Sequence, residues 1–314
     1  MTGSQAPRDH GGGLDAAAAH WGGARHDWLD LSTGINPVPY PLPDLSGTWT
    51  ALPDAAATAR LESAARHFWA VPDNAGIVQA PGASALIVRL PGIAPPGPVH
   101  IPGPTYNEHA AAFRLAGREI TERPAPVTVL VHPNNPDGRL WSATDLRPGL
   151  TIVDESFCDT TPAQSLIAAT ARPGTLILKS FGKFWGLAGL RLGAAIAHPE
   201  TLADLADRLG PWPVSGPALA IGAAALCDTP WAESTRARLV TDAARLDSLM
   251  SARGAQPLGG TALFRLYETG DATAWQDRLA RRHIWSRIFP YATGWLRLGL
   301  PGPGDWPRLE DALA

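Results

Sequence analysis

The sequence predicts an α/β fold in which a mainly parallel sheet is wrapped by helices, with a smaller α+β part towards the C-terminal end. Between residues 76 and 197, short apolar and β-branched runs alternate with segments of helical periodicity. This alternation is typical of βαβ units. Several polar residues of this region come directly after the predicted strands, where open α/β sheets bind ligands. We therefore expect one ligand site at the carboxyl edge of the sheet.

The predicted elements divide the chain into three parts. Helices are expected over residues 58–70, 85–90, 107–116 and 199–209, and strands over 76–80, 98–101, 126–132, 150–154, 174–179 and 193–197. A proline-rich break at 211–217 precedes a long amphipathic helix over 231–253, strands over 261–267 and 294–298 with a helix over 273–282 between them, and a short terminal helix. The predicted domains are an N-terminal arm (1–57), a large domain (58–210) and a small domain (211–314). The arm is expected to join the small domain and to reach the mouth of the site.

The composition excludes several classes of protein. A formal net charge of −3 over 314 residues gives no sign of affinity for nucleic acid or for an anionic membrane. The longest apolar run, 218–227, is about half a membrane span, and the N-terminus lacks the apolar core of a signal peptide. Two cysteines, Cys158 and Cys227, are too few for a disulfide framework. We therefore expect a cytoplasmic protein, and no metal site is predicted.

The stretch SFGKFWGLAGLRLG, residues 180–193, carries the clearest chemical signal. It follows a buried-strand pattern, and its glycines favour a loop. Only two of the 26 basic residues are lysines, Lys179 and Lys183, and Lys183 lies inside this loop between Ser180 and Arg191. Lysine forms a Schiff base with an aldehyde, which arginine does not, whereas arginine binds phosphate in bidentate fashion. The loop therefore predicts a ligand that carries both an aldehyde and a phosphate, which describes pyridoxal phosphate.

The motif Ser-x-x-Lys followed by Gly-Leu-x-Gly-x-Arg resembles the cofactor-lysine motif of fold-type I pyridoxal-phosphate enzymes, the aspartate aminotransferase superfamily. The resemblance implies that Lys183 holds the cofactor covalently. Ser180 and Arg191 would bind its phosphate, together with positions matching Ala83 and Ser84 in the turn after the strand 76–80.

The same resemblance assigns the residues around the cofactor ring. Tyr106 matches the aromatic residue that stacks on the ring, and Asn135 of NNPDG matches the asparagine bonded to the ring oxygen. Asp154 matches the acid that pairs with the protonated ring nitrogen and keeps the ring an electron sink. Phe157 stands where many relatives have a tyrosine, so the hydrogen bond of that tyrosine to the ring oxygen is not expected here.

The N-terminal arm resembles a narrower family. His-Gly-Gly at His10, followed by Asp-Leu-Ser-x-Gly-Ile-Asn-Pro at residues 30–37, is similar to the threonine-phosphate decarboxylases of cobalamin biosynthesis. The resemblance implies that this arm crosses the mouth of the active site, and it makes His10, Gly11 and Asn36 substrate-contact candidates. Relatives are homodimers, and Leu52 replaces a tyrosine that reaches the partner's cofactor phosphate.

Two arginines near the C-terminus are the candidates for the anionic ends of the substrate. Arg297 lies where relatives bind the α-carboxylate, and Arg287 is the candidate for the substrate phosphate, with His10 assisting. The implied reaction is the decarboxylation of L-threonine O-3-phosphate. Two alternatives stay open, an aminotransferase of the histidinol-phosphate type and a non-catalytic homologue that binds the cofactor.

Overall fold

The structure is a computed structural model that describes residues 10–314. Within that range the helices are α1 (Leu14–Trp21), α2 (Ala55–Trp69), α3 (Ala83–Ile87), α4 (Asn107–Leu115), α5 (Pro199–Leu209), α6 (Gly216–Cys227), α7 (Thr229–Ser251), α8 (Ala272–Ala280) and α9 (Trp306–Leu313). The strands are β1 (Leu29–Asp30), β2 (Gly76–Ala80), β3 (Val99–His100), β4 (Ile120–Thr121), β5 (Val127–Val131), β6 (Leu150–Asp154), β7 (Thr175–Ser180), β8 (Gly193–Ala197), β9 (Gln256–Thr261), β10 (Phe264–Glu268), β11 (Ile284–Trp285), β12 (Arg287–Phe289) and β13 (Ala292–Gly299).

A seven-stranded sheet forms the centre of the protein, with strand order β2-β8-β7-β6-β5-β3-β4. The strands from β3 to β7 pair in parallel, and β8 is antiparallel to both of its neighbours. Every residue of β5, β6 and β8 is buried. This explains their continuous apolar sequences, because helices cover both faces of such a sheet. The predicted mainly parallel α/β fold is therefore confirmed.

The helices of the large part begin close to their predicted positions, with two instructive differences. Helix α2 begins at Ala55, three residues before the predicted start. The Asp54 side chain accepts a hydrogen bond from the Ala57 N–H (2.7 Å) and so caps the helix at this point. Helix α3 begins at Ala83, two residues before the predicted start, directly after Gly82 in the left-handed region (φ 87°). This earlier start places the first turn of α3 at the edge of the sheet.

Two elements of the C-terminal part are absent from the sequence predictions. Helix α6 is apolar around its whole circumference and packs on α2, so it has no periodic pattern that marks a helix. The strand predicted over 261–267 matches β10 only from Phe264 onwards. The residues before it form a tight turn, which joins β10 to a second, antiparallel strand, β9, that was not predicted. Strand β9 contains Gly259 and Gly260 and shows no alternating pattern. These strands form a four-stranded sheet in the order β12-β13-β10-β9.

The N-terminal arm pairs with the C-terminal part of the chain. Strand β1 lies parallel to β11, with Leu29 opposite Ile284 and Asp30 opposite Trp285. Further on, the Gly299 N–H donates to the carbonyl of Leu31 (2.7 Å). The division into three parts remains a prediction. Helix α6 belongs to the predicted small domain, yet it packs against α2, which lies mostly in the predicted large domain. Within residues 10–314, no helix has the length and apolarity needed to cross a bilayer.

Candidate active site

Lys183 lies where two adjoining cavities meet at the carboxyl edge of the sheet. The smaller cavity, about 140 Å³, is lined by residues from the ends of β5, β6 and β7 and from the start of α3. All eight predicted cofactor residues line it, namely Ala83, Ser84, Tyr106, Asn135, Asp154, Ser180, Lys183 and Arg191. The structure thus brings together residues that are spread over more than a hundred positions of the sequence.

The carboxylate of Asp154 is buried at the end of β6 and is held in position by three hydrogen bonds. Its Oδ2 accepts a hydrogen bond from Nε2 of His109 (2.8 Å), and its Oδ1 accepts from the N–H (3.0 Å) and the hydroxyl (2.5 Å) of Ser156. Burial alone raises the pKa of Asp154, but these bonds and the interaction with His109 outweigh it, so the pKa is lowered. Asp154 is therefore ionised and fixed in position, as a partner for a cation in the cavity.

A second group of residues in the small cavity is suited to a phosphate. Arg191 has a left-handed backbone (φ 53°), and its Nη1 donates to the carbonyl of Ala188 (3.1 Å). A Cβ at Gly82 would lie only 2.7 Å from Nη2 of Arg191, so glycine is needed for the guanidinium to approach the first turn of α3. Ser84 and Ser180 line the same cavity and supply hydroxyl groups.

Five residues line both cavities, namely Ser84, Tyr106, Asn135, Phe157 and Lys183. Asn135 lines both cavities, and its Oδ1 accepts a very short hydrogen bond from Nη1 of Arg297. The ring of Tyr106 also lines both, at 6.0 Å from the His109 ring in an edge-on arrangement. Phe157 lines both as well, with its ring centroid 5.3 Å from Nζ of Lys183.

The two lysines of the chain have opposite environments. Burial and the nearby charge of Arg297 lower the pKa of Lys183 to about 8, so a substantial fraction of its amine is neutral near physiological pH. Lys179 lies within the sheet and forms an ion pair with Glu155 (2.7 Å) and a longer one with Asp159 (3.6 Å). Burial opposes its charge, but these carboxylates raise the pKa of Lys179 above its ordinary value. Of the two, only Lys183 is suited to be a nucleophile.

The larger cavity, about 490 Å³, contains the predicted anion-binding residues. Its lining includes His10, Gly11, Arg287 and Arg297. Nη2 of Arg297 donates to the carbonyl of Ser32 (2.6 Å), whereas its Nε is buried without a hydrogen-bond partner. Nε2 of His10 lies 2.9 Å from Oε1 of Glu108. The cavity therefore presents two guanidinium groups and an imidazole beside Lys183.

The glycines of the arm are explained by its contact with Ser32. The N–H of Gly12 donates to the hydroxyl of Ser32 (2.6 Å), and a Cβ at Gly11 would lie 2.4 Å from the Ser32 carbonyl oxygen. The two motifs of the arm, at residues 10–12 and 30–37, therefore touch each other at the cavity mouth.

Asn36 does not lie where its predicted role requires. Its side chain is 2% exposed and lines neither of the two cavities. Nδ2 donates to the carbonyl of Phe184 (2.9 Å), and Oδ1 accepts from Nη2 of Arg238 (2.6 Å). This position is at odds with a substrate contact.

Two residues of the site were missed in the sequence. His109 lies on α4, three residues after Tyr106, which is the N-cap of that helix. This spacing of about one helical turn indicates that the two side chains lie on the same side of the helix. Ser156 follows Asp154 by two positions, a spacing at which an aspartate commonly accepts hydrogen bonds from the backbone and side chain ahead of it.

The chain is similar to known proteins both in sequence and in fold. The family described as aminotransferase class I and II matches residues 121–306. The chain is 41% identical to a threonine-phosphate decarboxylase of a Sinorhizobium species, with 98% of each chain covered. It is 40% identical to the protein of the same name from Pseudomonas aeruginosa PAO1, with 97% of each covered.

Among solved structures, the fold is similar to histidinol-phosphate aminotransferase from Sinorhizobium meliloti in complex with pyridoxal-5'-phosphate. The TM-score is 0.82 at 21% identity, covering 96% of this chain and 93% of the other. The family predicted from the lysine loop is confirmed. The chain belongs to the class I and II aminotransferase family, alongside the threonine-phosphate decarboxylases.

Proposed function

We propose that the protein is a pyridoxal-phosphate-dependent carboxy-lyase. It converts L-threonine O-3-phosphate to (R)-1-aminopropan-2-yl phosphate and CO₂, a step of cobalamin biosynthesis. One observation carries the proposal: Lys183 lies between a cavity that fits the cofactor and a cavity that contains two arginines for an amino acid with two anionic ends. Full-length similarity to two threonine-phosphate decarboxylases supports the same reading.

The residues of the smaller cavity fit pyridoxal phosphate in their chemistry. Lys183 would bind its aldehyde, and the ionised Asp154 would pair with its protonated ring nitrogen. Asn135 would bind the ring oxygen and Tyr106 would cover the ring. The phosphate would lie at the end of the cavity formed by Ala83, Ser84, Ser180 and Arg191. When bound, the cofactor withdraws electrons from the Cα of the amino acid, which weakens the bonds to that atom.

The protein's own residues must then select the bond that breaks. Arg297 is buried with an unpartnered Nε, which suits a carboxylate, and Arg287 lies beside it, within reach of a second anion. An amino acid bound at both ends has little freedom to rotate about Cα. We propose that these two contacts, with His10 at the mouth, turn the carboxylate into the orientation from which it leaves as CO₂.

The test is to supply L-threonine O-3-phosphate to the holoenzyme without any keto acid. We expect CO₂ and aminopropanol phosphate to form steadily over many turnovers. An aminotransferase would stop after one turnover and resume only when 2-oxoglutarate is added. A non-catalytic homologue would form no product in either condition. Either result would overturn the proposal, and resumption of turnover on addition of 2-oxoglutarate would identify an aminotransferase.

We also propose that the enzyme is a homodimer in the cytoplasm. Trp49, Leu52 and Trp212 are each more than half exposed (68%, 67% and 59%), and Leu52 and Trp212 line two cavities that share Pro53 and Asp54. Exposed large apolar side chains that cluster in this way are typical of subunit interfaces. Trp212→Glu should convert a dimer into a monomer in analytical ultracentrifugation, whereas Leu115→Glu, on another exposed apolar residue, should not.

A further inference from the structure

A segment of the N-terminal arm donates hydrogen bonds to three consecutive carbonyl groups of the lysine loop. The backbone N–H of Asn36 donates to the carbonyl of Lys183 (3.0 Å), and that of Tyr40 donates to the carbonyl of Trp185 (2.9 Å). Between them, Nδ2 of the Asn36 side chain donates to the carbonyl of Phe184 (2.9 Å). One asparagine therefore supplies two of the three bonds, at the lysine itself and at the residue after it.

The two segments are in close contact beyond these bonds. Gly186 has a left-handed backbone (φ 69°), and a Cβ there would lie 2.7 Å from Cα of Pro39 and 2.8 Å from the carbonyl oxygen of Asn36. The turn of the loop after Lys183 therefore requires glycine because the arm lies against it.

The orientation of the Asn36 amide is determined by its other contacts. Oδ1 accepts from Nη2 of Arg238 (2.6 Å) and from the N–H of Val38 (3.1 Å). Nη1 of Arg238 also bonds to Asp242 on the same helix (3.1 Å). Since Oδ1 accepts from both donors, Nδ2 must face the carbonyl of Phe184. The side chain is thus held at both ends and is not free to turn towards the substrate.

Helix α7 supports the lysine loop independently of Asn36. The ring of Trp231 is stacked on that of Trp185, with centroids 5.3 Å apart and planes 13° apart. The guanidinium of Arg236 lies 5.2 Å from the ring of Phe184. Arg238, which binds Asn36, belongs to the same helix, so α7 and the arm hold the loop from two directions.

We propose that Asn36 is a positioning residue for Lys183, which fixes the backbone at the lysine and at the residue after it so that the lysine amine stays at the junction of the two cavities. This inference rests on the proposed function, because it takes Lys183 as the residue that binds the cofactor. It replaces the substrate contact that the sequence suggested for Asn36. A loop without these bonds would let the lysine side chain move away from the cavity wall and towards water.

The position of the amine determines its reactivity. Burial and Arg297, with a smaller contribution from Arg191, lower the pKa of Lys183, whereas Asp154 and Asp30 raise it. Movement of the amine into water removes the burial effect, which is the largest of these. A displaced amine should therefore titrate closer to 10.5, the ordinary lysine value.

The experiment measures the pH at which the Lys183 amine becomes reactive in the full-length protein after removal of the cofactor. An amine-directed reagent is applied across a pH series, and peptide mapping reads the modification of Lys183 alone. The test variant is Asn36→Leu, which introduces no charge, keeps the backbone bond of residue 36 to Lys183 and removes the side-chain bonds to Phe184 and Arg238. We expect its midpoint to rise by about one pH unit, and the rate of covalent cofactor attachment at neutral pH to fall about tenfold.

The matched control is Tyr40→Phe. It removes a hydroxyl that bonds to the carbonyl of Ala224 (3.3 Å) and to Asp228 (3.4 Å), while it keeps the backbone bond of residue 40 to the loop. This variant should be less stable with an unchanged midpoint. An unchanged midpoint in Asn36→Leu would overturn the proposal, as would a variant whose only defect is a raised KM for the substrate.

A second variant keeps the test decisive if Asn36→Leu does not fold. Arg238→Met removes the donor that orients the amide, and Arg238 is not among the largest influences on the pKa of Lys183. Its midpoint should rise in the same direction by a smaller amount, and no change would overturn the proposal. The midpoint is measured without substrate, so a failure of decarboxylation in the wild-type enzyme would be a separate result that leaves this inference standing.

Discussion

Arg287 and Arg297 lie directly opposite each other on the antiparallel strands β12 and β13. Two cations in this arrangement repel and destabilise the sheet. Burial, followed by the charge of Arg287, lowers the pKa of Arg297 to about 10. In the described part of the chain, no carboxylate forms a salt bridge with Arg297. A bound anion would relieve this repulsion, which is the physical reason to expect the acidic groups of the substrate here.

Replacement of Arg287 tests whether it binds the substrate phosphate. Arg287→Ala should raise the KM for L-threonine O-3-phosphate by about 10- to 100-fold, because a charged hydrogen bond contributes about 1.5–3 kcal/mol. Cofactor binding should be nearly unchanged. The control is Arg281→Ala, which removes an exposed arginine outside the cavities. An equal effect of Arg287→Ala on unphosphorylated threonine would argue against the role.

Asp154 is expected to maintain the charge of the cofactor ring. Asp154→Asn keeps the shape of the side chain but removes the negative charge, so kcat should fall by orders of magnitude in a folded protein. Ser156→Ala is the matched comparison, because it removes only one of the bonds to Oδ1 and leaves His109 in place. Its effect on kcat should be much smaller. Near-wild-type turnover of Asp154→Asn would disprove the assignment.

The sequence predicted the elements that have strong local patterns. Strands such as β6 and β8 match residue for residue, since strands buried on both faces of a sheet are nearly continuous apolar runs. Helix α6 is uniformly apolar and β9 is rich in glycine, so neither has a periodic pattern. They become visible only when packing against α2 and pairing with β10 are known.

A site residue could be predicted from the sequence where a motif identifies it. It could not be predicted where packing determines which way its side chain points. Lys183, Asp154 and Asn135 lie at strand ends, whose side chains converge because the strands are parallel. Asn36 lies in a motif typical of the active-site mouth, yet its side chain donates a hydrogen bond to the backbone carbonyl of Phe184 in the lysine loop. A motif locates a backbone segment, but only the surrounding donors and acceptors determine which way an amide points.

Lys179 is expected to stabilise the fold without taking part in the chemistry. Lys179→Met leaves the Glu155 carboxylate buried without its cation, which should lower the free energy of unfolding by about 3–5 kcal/mol. The double variant Lys179→Met/Glu155→Gln should recover much of this loss. Urea unfolding measures both effects. Borohydride reduction and peptide mapping should still place the cofactor on residue 183 in the single variant, and an adduct on Lys179 in the wild type would contradict the assignment.

The cofactor lysine should lower the stability of the cofactor-free protein in a pH-dependent way. Its folded pKa of about 8 lies below the ordinary value of 10.5, so the unfolded chain binds more protons between these values. Lys183 therefore destabilises the folded protein most below pH 8, and this destabilisation disappears above pH 10.5. The shift corresponds to about 3 kcal/mol.

Lys183→Met should accordingly stabilise the cofactor-free protein at neutral pH by up to that amount, and the gain should vanish as the pH rises above 10.5. Lys183→Arg provides the matched control, because a guanidinium keeps its charge throughout and so retains the destabilisation without the pH dependence. Both variants should fail to attach the cofactor covalently. The measurement is urea unfolding of the three proteins across the pH series. A Lys183→Met variant that is less stable than wild type at neutral pH would mean that the amine is well solvated and paired, contrary to the environment that nucleophilic chemistry needs.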